Sequence, residues 1–404
     1  MPNALIYSPI FDGHRQMYVF VLSNVLKELG FKVFIAGNIH AQSDSNTHIE
    51  KIKADDSVQF IDTSIYKMGG LEISRVEFFE LQTRLKVDFT VFAEADHHIK
   101  LFIDQIPVKN KKLIGRVTGI FLRPFYLYEK HTFIESLKYI KHLPSIWKND
   151  ERVFFEFFLK YFPLLDSVLC IDENFVSKHS YSQWLPDVFQ KFTENIFKIE
   201  SNPSIAWLTR LDNFKKQNNG RFVFLYFGTA QNRRGYDTLL KMTVENEGCF
   251  LHCGLRGNET KFSENVDQLR SKLQSEGRFL ETNEFIENPA IIEAFFKMTT
   301  HIILPYRRFY GSSGVMIQAL GYGIPVLVPE NGIMGHRVKK HKLGLVFDNK
   351  NPESLKKRFQ QFIKLSPSHF NDGISTFLEF QNTEILKHSL ESAITGNIIP
   401  INLP

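Results

Sequence analysis

Three stretches of the chain combine residues that could do chemistry. In residues 301–332, HIILPYRRFYGSSGVMIQALGYGIPVLVPENG, the run Gly311-Ser312-Ser313-Gly314 separates an apolar triplet, Ile302-Ile303-Leu304, closed by Pro305, from a helical pattern over about Ser313 to Tyr322. The first amides of a helix lack intrahelical partners, and the macrodipole adds partial positive charge beside them, so this arrangement suits an anion. Serine hydroxyls add donors, and glycines let a phosphate approach the backbone. Tyr306 and Arg307 lie just upstream and could close over the same ligand. A second stretch, Gly228-Thr229-Ala230-Gln231-Asn232-Arg233-Arg234-Gly235, follows a strand-like run, Phe222 to Phe227, and precedes a helix near Tyr236. A guanidinium fork engages two phosphate oxygens, and cations at a helix start are disfavoured unless an anion sits there. The third stretch is Asp96-His97-His98 at the end of an expected strand, Asp88 to Ala95. Histidines at a strand's carboxyl end could donate to a hydroxyl or phosphate, or take a proton near neutral pH. A metal reading is weaker, because adjacent strand residues face opposite ways. Each stretch also has a plainer reading: an ordinary βαβ unit, a surface arginine pair, and histidines capping a helix.

The elements needed to position these residues alternate along the chain. Residues 4 to 10 read as a buried strand, followed by the loop Phe11 to Gln16, a helix from about Met17 to Leu29 closed by Gly30, and a strand Lys32 to Ala36. That is the opening of a doubly wound α/β domain, without the GxGxxG of a dinucleotide site. A helix over 73–87, the strand ending at Asp96, and a strand Leu113 to Thr118 ending at Gly119 continue it. Residues 120–165 interleave aromatics with Arg123, Lys130, Lys138, Lys141, Lys148, Arg152 and Lys160, and fit helices over about 131–142 and 150–162. Core packing explains the aromatics first, with a membrane-surface contact as the alternative. A strand Ser167 to Ile171 and a helix over 173–179 finish this half. The polar run Asn213 to Arg221 reads as an interdomain linker. Beyond it come strands Cys249 to Gly254, Phe279 to Phe285, Val326 to Val328 and Leu343 to Asp348. Helices are expected over 261–275, 288–298 and 352–364, with a helical pair over about 367–393.

With 404 residues the chain is too long for one ordinary core, so two domains are expected. A hydrophobic share of 43% with 23% charged residues is that of a soluble globular protein. A net charge of +5 suits anionic ligands such as nucleoside diphosphates, or a lipid headgroup surface, and is too small and too evenly spread to argue for nucleic acid. Three cysteines, Cys170, Cys249 and Cys253, give neither a disulfide framework nor a metal site. No basic, apolar leader opens the sequence and no window reaches the roughly 18 apolar residues of a membrane span. The expectation is a cytoplasmic protein, at most resting on the inner face of a membrane.

The stretch Gln318-Ala319-Leu320-Gly321-Tyr322-Gly323-Ile324-Pro325-Val326 resembles the nucleotide-sugar-binding segment of the retaining GT-B glycosyltransferases, the bacterial polysaccharide and glycolipid group. That family carries Glu, seven residues, Glu, then small residues before Gly-x-Pro-Val. Here Tyr310 and Gln318 occupy the two Glu columns. The family's diphosphate-binding loop, Gly-Arg, a few residues, then Lys-Gly, is matched by Arg234-Gly235, with Thr229 in the Arg column and Arg233 as a second cation. The resemblance implies two Rossmann-like domains facing a cleft, with the boundaries 1–212, a linker 213–221, 222–365, and terminal helices in 366–404 that pack back on the first domain. It implies transfer of a sugar from a UDP or GDP donor to a glycan or lipid-linked acceptor, with retention and without a metal or other cofactor. Donor contacts would come from Arg233, Arg234, Phe285, Ile286, Tyr306, Arg307, Tyr310, Gly311, Ser312, Ser313, Gly314, Val315 and Gln318. His97 or His98 would orient the donor sugar or the acceptor, and Gly13, His14, Arg15, Thr118 and Gly119 would line the acceptor side. Two alternatives stand beside transfer: a nucleotide-sugar epimerase of the same fold, and a binding subunit that has lost catalysis along with the Glu pair.

Overall fold

The computed structural model describes residues 1–9, 11, 13–38, 52–63, 74–98, 114–122, 164–179, 182–187, 205–257, 265–284, 286, 288–307 and 309–397. The chain forms two compact units, Met1–Phe192 with Phe380–Leu403, and Thr193–Glu379.

Among its described residues the first unit carries a parallel sheet in the order β3-β2-β1-β4-β5-β6-β7. The strands are β1 (Asn3–Tyr7), β2 (Lys32–Gly37), β3 (Val58–Asp62), β4 (Phe89–Phe92), β5 (Arg116–Phe121), β6 (Ser167–Cys170) and β7 (Ser182–Trp184). Strands β1 and β4 are buried along nearly their whole length, which is why ALIY and FTVF are continuous apolar runs rather than alternating ones. Leu5, Tyr7, Phe34, Phe78, Phe92, Phe121 and Phe175 fill a core on one side of this sheet. The helix Arg75–Leu85 enters through a capping box, in which the Ser74 hydroxyl accepts from Glu77 N–H while the Glu77 carboxylate accepts from Ser74 N–H. It ends in a left-handed Lys86.

The C-terminal helix Thr383–Thr395 belongs to this first unit. Ser389 Oγ donates to Trp184 O at 2.7 Å, Ser392 Oγ to Gln183 Oε1 at 3.3 Å, and Arg116 Nε to Ala393 O at 3.0 Å. The helix therefore caps the β5–β7 end of the sheet.

The second unit contains two three-stranded parallel sheets, β10-β9-β8 and β11-β12-β13. Their strands are β8 (Val223–Phe227), β9 (Cys249–Cys253), β10 (Phe279–Glu281), β11 (Ile302–Ile303), β12 (Val326–Pro329) and β13 (Gly344–Phe347). Strand β8 lies beside β11, so the two sheets continue one another as β10-β9-β8-β11-β12-β13. This is the doubly wound order, in which the chain reverses direction across the sheet between β8 and β11.

Three expectations are corrected here. The run 213–221 is not a linker: Asn213 to Gln217 complete a helix, Ile205–Gln217, which lies inside the second unit and packs on the helix Pro289–Lys297. Trp207 fixes it there by donating from Nε1 to Glu284 Oε1 at 2.9 Å. Strand β5 runs to Phe121 rather than stopping before Gly119. A helix not expected from the sequence, Gly332–His341, fills the space between β12 and β13. The segment 120–165, with its two expected helices and its membrane-surface alternative, lies almost wholly outside the described residues. No helix among the described residues is long and apolar enough to cross a membrane.

Candidate functional site

Ligands of open α/β sheets sit beyond the carboxyl ends of the strands where the order reverses. In the second unit that place is between β8 and β11, and the loops leaving these two strands are Gly228–Gly235 and Leu304–Ser313. The loops are joined directly, since Arg307 N–H donates to Arg233 O at 2.8 Å. Gly235 permits this approach: its φ is +73°, and a Cβ there would lie 2.5 Å from Pro305 Cγ and 2.6 Å from Pro305 O.

The first loop is propped from beneath. Gln231 N–H donates to Tyr226 Oη at 3.0 Å, and Tyr226 Oη donates to Thr229 O at 3.1 Å. Burial raises the Tyr226 pKa far above the usual phenol range, so this hydroxyl keeps its proton. His252, wholly buried on β9, donates from Nε2 to Gly228 O at 3.0 Å. Burial pulls its pKa down to about 4, which keeps the ring neutral, and the Gly228 carbonyl, which can only accept, selects the Nε2–H tautomer.

Arg234 sits in the short turn Asn232–Arg234, half-buried, with its Nη1 about 3.0 Å from where a Cβ on Gly228 would stand. Among the described residues no carboxylate or other side chain pairs with its guanidinium. Its neighbours are differently placed. Arg307 is tied to Asp237 at 2.8 Å, to Thr238 at 3.0 Å and to Asn232. Arg256 and Arg270 share the Glu281 carboxylate. Arg234 is thus a cation held over the end of β8 without a counter-ion among the described residues.

The second loop ends in the helix Gly314–Gly321. Ser313 is its N-cap, with Oγ accepting from Met316 N–H at 3.4 Å and donating to the buried Tyr306 hydroxyl at 3.4 Å. The backbone amides of Gly314 and Val315 open the helix and point outward from the loop by the geometry of a helix start. Gly311 is buried and Ser312 half-buried. Ser312 Oγ accepts from Nη1 of Arg337 at 3.1 Å. Gln318 is half-buried on the second turn of the same helix, and Tyr310 is half-buried with its carbonyl accepting from Ile333 N–H at 2.9 Å.

The structure therefore gathers Arg233, Arg234, Tyr306, Arg307, Tyr310, Gly311, Ser312, Ser313, Gly314, Val315 and Gln318 on two joined loops and the helix that follows them. Within that set it reassigns two residues. Arg307 serves the loop junction rather than lying open to a ligand, and Tyr306 is buried under the Ser313 cap, with its carbonyl accepting from Asn349 Nδ2 at 2.8 Å. Ile286 is half-buried past the end of β10, and Phe285 lies outside the described residues.

The candidates of the first unit fare differently. Arg15 is on the first turn of the helix Gly13–Glu28, which starts earlier than the expected Met17, and its Nε is paired with the Glu94 carboxylate. The side chains of Gly13's neighbour His14 and of His97 lie outside the described residues. His98 is a core residue, only 3% exposed, with its ring against Tyr7 and Phe92 at 5.1 and 5.3 Å between centroids. It is not presented to a ligand. Thr118 is fully buried inside β5, its Oγ1 donating to Ser167 O at 3.1 Å. Gly119 is also within that strand, where a Cβ would stand 2.6 Å from Ala95 Cβ. Both residues serve packing, not an acceptor surface.

Sequence reading missed Tyr226, His252, Asn349 and Arg337. The first two lie on strands and read as core, and Asn349 sits in a turn. Arg337 was hidden because Asn331-Gly332-Ile333-Met334-Gly335 reads as turn; the basic run Lys339-Lys340-His341 was the one sign of a helix C-terminus there. Among the described residues no group of three or more His, Cys, Asp or Glu is placed to hold a metal ion. The three cysteines are buried and free, and burial pushes the Cys249 and Cys253 thiols up to about 11 and about 12.

No protein-family model matches the chain, and no curated protein matches it in sequence. Solved structures do match in fold. A glycosyltransferase from Rickettsia africae superposes with a TM-score of 0.63 at 12% identity, over 98% of this chain and 99% of that one. Anabaena Alr3699/HepE, in complex with UDP and glucose, gives 0.64 at 11% identity, over 98% of this chain and 100% of that one. A Listeria monocytogenes protein assigned as a UDP-N-acetylglucosamine 2-epimerase gives 0.57 at 10% identity, over 100% of this chain and 99% of that one. The two doubly wound units and these whole-length likenesses together identify the architecture: the chain has the GT-B fold of the glycosyltransferases it resembles.

Proposed function

We propose that this protein is a glycosyltransferase that takes a sugar from a nucleoside-diphosphate donor, UDP- or GDP-linked, and passes it to a hydroxyl of a glycan or lipid-linked acceptor. The observation that carries the reading is Arg234: a half-buried guanidinium with no counter-ion among the described residues, at the strand-order reversal and on a loop joined to a serine-capped helix start. That arrangement suits a diphosphate. One phosphate would lie against Arg234 and the other against the amides of Gly314 and Val315 with the Ser312 hydroxyl, Arg233 adding charge nearby. The complexes of Anabaena HepE with UDP and with UDP-glucose, on the same fold, support a nucleotide sugar as the ligand.

Transfer breaks the bond between the sugar's anomeric carbon and the diphosphate oxygen, and the bonding pair leaves with the phosphate. Donors fixed around that oxygen stabilise the charge as it grows, more than they stabilise the bound donor. The acceptor hydroxyl forms the new bond and its proton passes to the departing phosphate, on the same face of the sugar, which gives retention. The protein residues supply the positive field themselves, and the reading places no metal or other cofactor in the step. We assign the protein to the cytoplasm, with core packing as the first reading of the aromatics in 120–165 and a membrane-surface contact as the second.

A panel of UDP- and GDP-sugars tested for nucleotide release, with and without lipid-linked and soluble glycan acceptors, decides the matter. Acceptor-dependent release is the expected result. Epimerised donor without transfer would favour the second reading, which the whole-length likeness to the Listeria protein supports. Binding of a nucleoside diphosphate without any turnover would leave a binding subunit.

A further inference from the structure

The loop Gly228–Gln231 leaves β8 and leads to Arg234. It belongs to neither a strand nor a helix, so each of its four amides must find a partner of its own. Three have one. Gly228 N–H donates to Cys253 O at 2.8 Å, Ala230 N–H to Leu255 O at 2.9 Å, and Gln231 N–H to Tyr226 Oη at 3.0 Å. The fourth, the N–H of half-buried Thr229, has no partner among the described residues.

The direction of that amide follows from its own peptide. Gly228 O accepts from His252 Nε2 at 3.0 Å, and in a trans peptide the C=O and the following N–H point opposite ways. The carbonyl is turned in, towards a ring that is 0% exposed, so the Thr229 N–H is turned away from the core. Gly254, at φ +146°, closes the inner side, since a Cβ there would stand 2.4 Å from Gly228 O. Gly228, at φ +100°, leaves the place of its own Cβ open, and Arg234 Nη1 lies 3.0 Å from that place. The Thr229 amide and the Arg234 guanidinium therefore adjoin the same Cα.

His252 makes no other hydrogen bond among the described residues. Its Nδ1 stands 3.8 Å from Glu281 Oε2, beyond hydrogen-bonding reach, and Arg256 and Arg270 already engage that carboxylate. Burying an imidazole costs free energy, and the one bond it makes here is to this loop carbonyl. The Tyr226 hydroxyl fixes the next two peptides, donating to Thr229 O while it accepts from Gln231 N–H.

We propose that the Thr229 amide is a phosphate-binding donor of the diphosphate site, working beside Arg234, and that His252 is the positioning residue that keeps it facing the ligand. The inference rests on the nucleoside-diphosphate reading above and adds to it a contact made by the backbone.

The test pairs a spectrum with binding. In the full chain carrying nitrogen-15-labelled threonine, the Thr229 amide resonance is identified by its disappearance in Thr229→Ser. Its proton shift should move downfield on adding UDP or GDP and stay in place on adding uridine or guanosine. Calorimetry with the same four ligands should show diphosphate binding about tenfold weaker in His252→Leu, the loss of one hydrogen bond to a charged group, with nucleoside binding within twofold of wild type. His252→Gln, which keeps an N–H donor at a similar reach, should recover most of that loss. A Thr229 resonance that stays in place with diphosphate bound overturns the proposal. So does diphosphate binding within twofold of wild type in His252→Leu, or a His252→Gln protein that binds no more tightly than His252→Leu. Equal weakening of diphosphate and nucleoside would mark a merely structural role for His252 and also overturns it. Should His252→Leu fail to fold, the wild-type spectrum decides, a diphosphate-specific downfield shift supporting the proposal. Absence of diphosphate binding by wild type is a separate failure, that of the donor-site reading itself.

Discussion

The two units present the same topological feature with opposite electrostatics. Each has a parallel sheet whose order reverses once, between β1 and β4 in the first and between β8 and β11 in the second, and each has an arginine near the loop that follows its first strand. Arg15, in the first unit, is paired with Glu94, a carboxylate whose side chain is only 2% exposed. Arg234, in the second, has no such partner among the described residues. An arginine neutralised within its own unit stabilises that unit. One left without a counter-ion holds a field that an incoming anion completes. The fold supplies the same location twice, with a buried carboxylate beside the arginine in the first unit and none among the described residues beside the arginine in the second.

The comparison breaks most decisively at Arg234. Arg234→Ala should lower acceptor-dependent nucleotide release by about a hundredfold or more, the usual loss when one charge-stabilising donor is removed, with the thermal unfolding midpoint unchanged. Steady-state assay beside differential scanning calorimetry would measure both, and near-normal turnover would remove Arg234 from the step.

At Arg15 the loss should appear as stability instead. Arg15→Met removes this cation from beside the buried Glu94 carboxylate, and should cost about 3 kcal/mol in urea unfolding. A cost near zero would show that the first unit's charge is not held by this pair.

A pH titration separates the units further. The folded pKa of His252, about 4, is below the ordinary histidine value of 6.5 because the ring is buried in the second unit. The unfolded chain therefore binds this proton first on acidification. The stability tied to the neutral ring is fully present above pH 6.5 and lost progressively as pH falls from there to about 4, on the order of 3 kcal/mol in all. His301, also in that unit and also lowered by burial, acts in the same direction. Unfolding measured in urea across this range should show a slope that His252→Leu reduces; an unaltered slope would assign the loss to other groups.

The smallest effect should be at Arg307, whose side chain is 46% exposed beside Asp237. Arg307→Ala should cost less than about 1 kcal/mol of stability, as exposed pairs do. A large loss of nucleotide affinity there would mean that the residue leaves Asp237 to meet the ligand.

How far this was legible in the sequence depended on the range of the interaction. Gly311-Ser312-Ser313-Gly314 and Arg234-Gly235 are local signals, since a turn, a cap and a helix start are set by a few neighbouring residues, and the structure joins these two stretches. His98, Thr118 and Gly119 were misread because strand-end position was inferred from chemistry, whereas burial depends on which strands lie alongside. Thr118 is covered by Ser167 on β6, forty-nine residues away. The helix Gly332–His341 was missed for a related reason. Its two glycines lower helix propensity, and what compensates them is close packing on Tyr310 and Glu330, which no local pattern reveals. The polar run at Asn213 looked like a connection, yet Asn218 donates from Nδ2 to Phe214 O and to Gly277 O and so closes the helix onto its own unit.

The placement of the helix Thr383–Thr395 has a consequence for biosynthesis. The ribosome makes the sheet of the first unit early, but Ser389 and Ser392, which occupy Trp184 O and Gln183 Oε1, emerge some two hundred residues later. The half that is translated first is therefore the half that is finished last, while Thr193–Glu379 is already complete when that closing helix leaves the exit tunnel.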